Sequence, residues 1–263
     1  MPWVLRGLRD GIVTSGYPRR ADGYGIGFRG AVRVLDPEPA RTSGLPELCP
    51  TGAILVEPAE APTVRIDRGR CILCGRCVGT RPDLFAFDPL VEVATSSRRA
   101  LVVPETPEDD DEVLRIRVQL ARRVRALRRS VHIRHVDAGS DGAEEAEIAA
   151  LTGPIYDLER LGMFFTATPR HADVLVVTGT GTTGMADELR RTFEAMPDPK
   201  VVIACGTDAT SGGLVGPSYS AGGGIWELVP VDVFVPGSPP SPFSLLHGLL
   251  LAVGLLPAAR RSR

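Results

Sequence analysis

Ala172-Asp173-Val174-Leu175-Val176-Val177-Thr178-Gly179-Thr180-Gly181-Thr182-Thr183-Gly184 runs from an apolar, β-branched stretch into a glycine-rich turn, and a helical pattern from Thr183 to Met196 follows. A short continuous apolar run bounded by a turn fits a strand buried on both faces, and the helix after it makes half of a βαβ unit. The alternation recurs. Strand candidates are Ser130 to Val136, Asp173 to Val177, Lys200 to Cys205 and Val231 to Val235; helix candidates are Ala143 to Leu151, Thr183 to Met196 and Pro242 to Leu256. They predict an α/β domain with a parallel sheet whose crevice lies beyond the carboxyl ends of the strands, in the loops after Val136, Val177, Cys205 and Val235. Gly179, Gly181 and Gly184 also spell G-x-G-x-x-G, which can open a dinucleotide site. The acid expected at the end of the next strand is absent at Ala204 and Cys205, so an ordinary helix-opening turn competes with that reading.

Upstream, Pro104, Pro107 and the acidic run Glu108-Asp109-Asp110-Asp111-Glu112 interrupt the apolar pattern and suggest a linker between about Ser96 and Glu112. From Glu112 to Arg129, Val113, Ile116, Leu120, Val124 and Leu127 recur at helical spacing among seven arginines, which predicts a basic amphipathic helix. Such a helix can be a solvated face neutralised by the acids before it, or a docking surface for an acidic partner or anionic headgroups. The division expected is 1–100 for a small amino-terminal domain, 101–129 for the acidic linker and basic helix, and 130–263 for the α/β domain.

Four of the five cysteines form one ligand pattern. Cys71-Ile72-Leu73-Cys74-Gly75-Arg76-Cys77 repeats an x2 spacing, and Cys49-Pro50 precedes it. In C-x2-C-x2-C-x3-C-P pairs, three cysteines of one run and the fourth of the other hold a single cluster. Cys49, Cys71, Cys74 and Cys77 therefore complete one 4Fe-4S ligand set. Pro39, Thr42 and Leu45 stand where the other set would begin, and Arg81-Pro82 replaces its Cys-Pro. Structural zinc is the competing reading, although its cysteine pairs usually lie far apart. A disulfide framework would need an oxidising compartment, and Met1 to Gly11 contains no long apolar leader, so the thiols read as reduced and cytoplasmic. Cys205 reads as a small apolar residue in a buried strand. Arg68, Arg70, Arg76 and Arg81 surround the run, a setting that should raise a cluster's potential.

The 263 residues carry a formal net charge of −2, with 30 basic and 32 acidic residues, so overall charge makes no case for nucleic acid. No stretch reaches the length of a transmembrane segment; Leu245 to Leu256 is interrupted by His247 and Gly248 and reads as a buried helix between Pro242 and Pro257. No Ser-His-Asp or Cys-His arrangement stands out. His132 and His135 fall on opposite faces of a predicted strand.

The stretches Ala172 to Gly179, Met185 to Lys200, Ser218-Tyr219-Ser220 and Val229 to Gly237 closely resemble the B subunit of respiratory complex I and the small subunit of membrane-bound group 4 [NiFe] hydrogenases. Thr14, Tyr17-Pro18, Arg29-Gly30, Cys49 to Ile54 and Cys71 to Cys77 resemble the ferredoxin-type subunit of the same complexes. The resemblance implies a small ferredoxin-like α+β domain, a βαββαβ unit, followed by a flavodoxin-like parallel-sheet domain. It also implies an electron-transfer subunit that is not itself catalytic. Its partners would be a hydrogenase-like or complex I-like large subunit and further subunits of a membrane-associated complex with nickel or quinone chemistry, on the cytoplasmic face of the membrane.

In that family the carboxy-terminal domain holds a second, proximal 4Fe-4S cluster. The corresponding positions in this chain are Asp141, Glu144, Asp208 and Ser238, so that site is expected to be degenerate and the cofactor to be one 4Fe-4S cluster. Oxygen ligands replace soft thiolates poorly. The three acids and the serine could instead hold a hard cation such as Mg2+ or Ca2+, or form a salt-bridged pocket. Two functions follow: an electron-transfer subunit whose route avoids the lost site, or a structural or regulatory docking subunit whose cluster only staples a small domain.

Overall fold

The computed structural model describes residues 3–19, 27–39, 41–57, 62–104, 107–127 and 130–256. Arg128, Arg129 and Pro257, and the side chains of Glu108, Asp109, Asp110 and Val113, lie outside the described residues. In chain order the elements are α1 (Trp3–Asp10), β1 (Ala31–Val34), β2 (Ile54–Glu57), β3 (Thr63–Asp67), α2 (Arg76–Thr80), β4 (Phe85–Asp88) and β5 (Val102–Val103). There follow α3 (Pro107–Arg123), β6 (Val131–Asp137), α4 (Ala143–Ala150), β7 (Met163–Phe165), β8 (Val174–Thr178), α5 (Ala186–Ala195), β9 (Val201–Cys205), α6 (Gly206–Ser211), β10 (Val233–Val235) and α7 (Pro242–Ala252).

β6 to β10 make one parallel sheet in the order β7-β6-β8-β9-β10. Numbered along the domain this is 2-1-3-4-5, the flavodoxin-like order. β8, β9 and β10 are buried along their whole length because both faces are covered, whereas β6 carries His132, Arg134, His135 and Asp137. Val174, Val176, Val201, Ile203, Val233 and Val235 face α7 in one core; Leu175, Val177, Val202, Ala204 and Phe234 face Leu189 of α5 in the other. Every residue of α7 is buried. Ser241 caps its start by accepting a hydrogen bond from the Ser244 N–H at 3.2 Å, and Pro242 occupies the first turn.

The glycine pattern after β8 serves packing. Gly179 has φ +80°, and a Cβ there would lie 2.4 Å from the Gly139 carbonyl carbon. The N–H groups of Gly181 and Thr182 donate to the Ala138 carbonyl at 3.1 and 2.9 Å, and that of Thr180 to Gly139 at 3.3 Å. Donors that would cradle a pyrophosphate are already engaged by the neighbouring loop, which removes the physical basis of the dinucleotide reading.

The small domain follows the βαββαβ order, with its first helix reduced to a single turn and β5 added at one edge. Its strands form two antiparallel sheets, β1 with β4 and β2-β3-β5. The expected first helix is one 3-10 turn, Pro46–Leu48, because Pro46 opens it and Cys49-Pro50 closes it within a turn. Val32, Leu45, Ile54, Val64, Ile66, Leu84 and Phe85 are its buried core, with Cys49, Cys71 and Cys77 packed on it.

The acidic run also departs from expectation: α3 begins at Pro107, so the backbone of the run lies within its first turns. The helix gives way at Val124 to a 3-10 turn instead of continuing to Arg129. Leu120, Val124 and Leu127 enter the core of the α/β domain. Arg115, Arg117, Arg122 and Arg125 are exposed, and Arg123 pairs with Asp232.

Segments from the amino-terminal half dock on the α/β domain. The Ser15 N–H donates to Ile155 O at 2.8 Å, and Tyr17 packs edge-on against Phe243 with ring centroids 5.9 Å apart. Thr95 forms an antiparallel bridge with Phe234 and so covers the sheet's β10 edge. Next to it, the Ala94 N–H donates to Nδ1 of His247 at 3.1 Å.

Leu246, fully buried in α7, should cost about 3 kcal/mol of stability when replaced by alanine, read from denaturant unfolding at neutral pH. Burial, with Arg117 adding to it, pushes His247 down to about 4. The ring is therefore neutral in the fold, while the unfolded chain binds its proton from about pH 6.5 downward. Stability should fall by up to about 3 kcal/mol between about pH 6.5 and pH 4. His247→Leu should flatten that portion of the stability curve.

Candidate metal centre and the crevice beside it

β3 leads into the cysteine loop and ends in Asp67, which is 5% exposed. Arg98 clamps its two carboxylate oxygens at 2.8 and 2.7 Å, and the Gly69 N–H donates to Oδ1 at 2.9 Å. Two left-handed residues then bend the loop, Leu73 at φ +54° and Gly75 at φ +75°. A side chain at Gly75 would meet the ring of Phe87 at 3.0 Å, so the loop lies directly on β4. Cys77 falls in the first turn of α2.

Cys49 approaches from the other side, just before β2. Its sulfur accepts the Ala53 N–H at 3.1 Å and lies 3.4 Å from the Thr51 hydroxyl. That hydroxyl donates to Arg70 O at 2.6 Å and ties the two ligand segments together. All four cysteines line one cavity, whose remaining wall includes Ile54, Ile66 and Ile72. Cys74 is exposed and the other three are partly buried.

Burial, with the neighbouring sulfurs Cys77, Cys49 and Cys74 adding to it, pushes the Cys71 thiol up to about 12 against the N–H of Leu73. Burial likewise raises Cys77, opposed by the N–H of Val78. Crowded thiols that repel one another's charge, three of them supplied with N–H donors, are the donor set an iron-sulfur group requires, since iron supplies the compensating positive charge. Of the arginines nearby, Arg81 is paired with Asp83 at 2.7 Å and Arg70 lies 3.6 Å from Asp67. Their charge is partly cancelled before it can act on the cysteines.

The crevice of the parallel sheet abuts this loop. At the end of β9, the Thr207 hydroxyl donates to Cys71 O at 3.1 Å, while the Thr207 N–H donates to Gly237 O at 2.7 Å. Pro236 and Gly237 share a small cavity with Arg68, Cys71 and Leu73. The geometry brings three of the four degenerate positions into electrostatic reach of each other. Glu144, in the first turn of α4, is 1% exposed, and its Oε2 has no hydrogen-bond partner. Its Oε1 sits against Gly206, where a Cβ would lie 2.5 Å away. Burial, then Asp208 and Asp141, raises Glu144 to about 7. Burial and Asp141 also raise Asp208.

Asp141 is exposed and accepts the Ala143 N–H at 3.0 Å. Ser238 is exposed on the β10 loop and is not among the groups acting on Glu144. Cys205 is wholly buried at the end of β9, and burial pushes its thiol far up. Among the described residues no three His, Cys, Asp or Glu side chains converge as they would on a single metal ion, either at these acids or at the four cysteines, which instead line a shared cavity.

Sequence reasoning missed two features. Glu145 accepts from the hydroxyls of Thr178 and of Ser140, the latter at 2.8 Å, and the same Thr178 hydroxyl lies 3.0 Å from His135 Nε2. The odd spacing of the histidines was the available signal: His132 turns instead to Asp173. Thr207 carries no signal at all, since its role depends on a contact 136 residues away.

The family described as "NADH ubiquinone oxidoreductase, 20 Kd subunit" matches residues 142–252, and a "4Fe-4S single cluster domain" matches residues 64–115. Formate hydrogenlyase subunit 7 of Escherichia coli (strain K12) is 36% identical over 159 residues, 60% of this chain and 61% of that protein. The chain thus spans about three fifths of that relative's length. The probable membrane-bound hydrogenase subunit mbhJ of Pyrococcus furiosus is 39% identical over 145 residues, 55% of this chain and 87% of that protein. Among solved structures, a chain of the membrane-bound sulfane sulfur reductase (MBS), an archaeal respiratory membrane complex, matches with 30% identity and a TM-score of 0.45 over 51% of this chain and 73% of its own. The chain belongs to the family of the NADH ubiquinone oxidoreductase 20 Kd subunit and its hydrogenase relatives, with a 4Fe-4S domain ahead of the family's parallel-sheet domain.

Proposed function

We propose that this chain is an electron-transfer subunit of a complex I-like or membrane hydrogenase-related oxidoreductase. It holds one 4Fe-4S cluster at Cys49, Cys71, Cys74 and Cys77 and lacks the family's proximal cluster. The observation that carries the reading is the single cavity lined by all four thiols, with N–H donors aimed at the sulfurs. The cluster, when bound, supplies one-electron chemistry over a potential range set by its surroundings. The chain's own residues do the rest: Asp67 and Arg98 hold the ligand loop, Thr51 joins its two halves, and exposed Cys74 marks the edge that a redox partner can approach.

Partners are a large subunit and further subunits of a membrane-associated complex, as the names of the relatives suggest. Among the described residues no helix is long and apolar enough to cross a membrane, which is compatible with a peripheral place in such a complex, on its cytoplasmic face. Trp3, Leu5 and Leu8 of α1 are exposed and offer an apolar contact surface, while the exposed arginines of α3 suit an acidic one. The organisation we infer keeps residues 1–100 as the cluster domain, 101–129 as connector and 130–263 as the docking domain. A second reading, a docking subunit without through-going electron transfer, draws on the carboxylates that stand where proximal thiolates would be.

Anaerobic purification of the full chain should yield about four irons and four sulfides per chain and, after reduction, the EPR signal of a single cubane. Cys74→Ala should abolish the intact signal. About eight irons, or zinc in place of iron, would overturn the assignment.

A further inference from the structure

Two carboxylates are buried among the described residues, and they are treated differently. Asp67 is clamped by Arg98, whereas Glu144 has no cation beside it and its Oε2 is closed to solvent without a hydrogen-bond partner. Its Oε1 rests against Gly206, where a Cβ would lie 2.5 Å away. A buried carboxyl with no cation beside it is neutralised by a proton. The place is also specific: Gly206 leads directly into Thr207, whose hydroxyl holds the carbonyl of Cys71 at 3.1 Å. Glu144 is therefore joined to the cysteine loop through two contacts, its own with Gly206 and that of Thr207 with Cys71.

We propose that Glu144 is a redox-linked proton site: it takes up one proton from solvent when a low-potential one-electron donor adds one electron to the group held by Cys49, Cys71, Cys74 and Cys77, and it releases that proton when the electron leaves. The inference rests on the four-cysteine reading above. One negative and one positive charge enter together, so the junction's net charge is unchanged by the cycle. The groups facing Glu144 are consistent with this poise. Asp208 from α6, Asp141 from the loop before α4 and the adjacent Glu145 all disfavour its ionised form, which with burial brings it to about 7. Cys205 from β9 is held neutral by its own burial. Asp141, whose charge acts on Glu144, is itself exposed to solvent.

The test is EPR-monitored potentiometry of the full-length reduced and oxidised protein between about pH 6 and pH 8, the range that brackets a carboxyl titrating near neutrality. In the wild type the midpoint should fall as pH rises, because reduction favours the protonated acid. Glu144→Gln should remove that dependence, Glu144→Asp should retain it, and Asp208→Asn should move it to lower pH by relieving a like charge. Infrared difference spectra on reduction should show a protonated carboxyl signal in the wild type that is lost in Glu144→Gln, independently of potential. A cubane signal with a pH-independent midpoint, or an unchanged slope in Glu144→Gln, would overturn the inference and leave the cluster assignment intact. The absence of any cubane signal in the wild type would overturn the assignment itself, and the inference with it.

Discussion

The clamp of Arg98 on Asp67 is the interaction on which the junction between the two halves depends. Asp67 ends the strand that delivers the cysteine loop, and Arg98 lies three residues beyond the Thr95 bridge to β10. One bidentate pair thus ties the ligand loop to the edge of the parallel sheet. Gly69 shows how tight the fit is, since a Cβ there would lie 2.8 Å from the guanidinium and 2.9 Å from Thr210 of α6. A bidentate arginine-carboxylate pair fixes direction as well as distance. Removal of either partner would leave a largely buried charge uncompensated at the point where loop and sheet meet.

That placement changes what the crevice of the parallel sheet can be. In an open α/β sheet the loops beyond the strand ends form the natural ligand site. Here one side of that site is closed by the cysteine loop through Thr207 and Cys71, and its interior is occupied by carboxylates instead of thiolates. Cys205, at the end of β9, lies in the core with Ile203 and Val235. The crevice meets the cysteine loop at one threonine.

Much of this was legible in the sequence because it follows from local rules. Continuous apolar runs such as Val174 to Val177 can only be strands covered on both faces, and the x2 spacing of Cys71, Cys74 and Cys77 admits few ligand geometries. The misses share a cause. The acidic run before Leu114 reads as a linker by composition, yet its backbone belongs to the helix that follows. The 3-10 turn at Pro46 replaced an expected helix because proline and the Cys49-Pro50 pair act within four residues of each other. The burial of Glu144 and the role of Thr207 depend on contacts between distant segments, which no local pattern encodes.

The identity of the residues at the degenerate positions argues against simple decay. A lost cluster site under no constraint would be expected to fill with apolar side chains, since burying an unpaired carboxylate is costly and a well-packed hydrophobic replacement is not. Asp141 and Asp208 keep solvent access, but Glu144 is packed as tightly as the leucines of the core while lacking the partner that would neutralise it. Stability alone gives no reason for that choice. A carboxyl held at the edge of ionisation, one peptide from the residue that grips the cluster loop, is instead what coupling between charge at the cysteines and protons in the crevice requires.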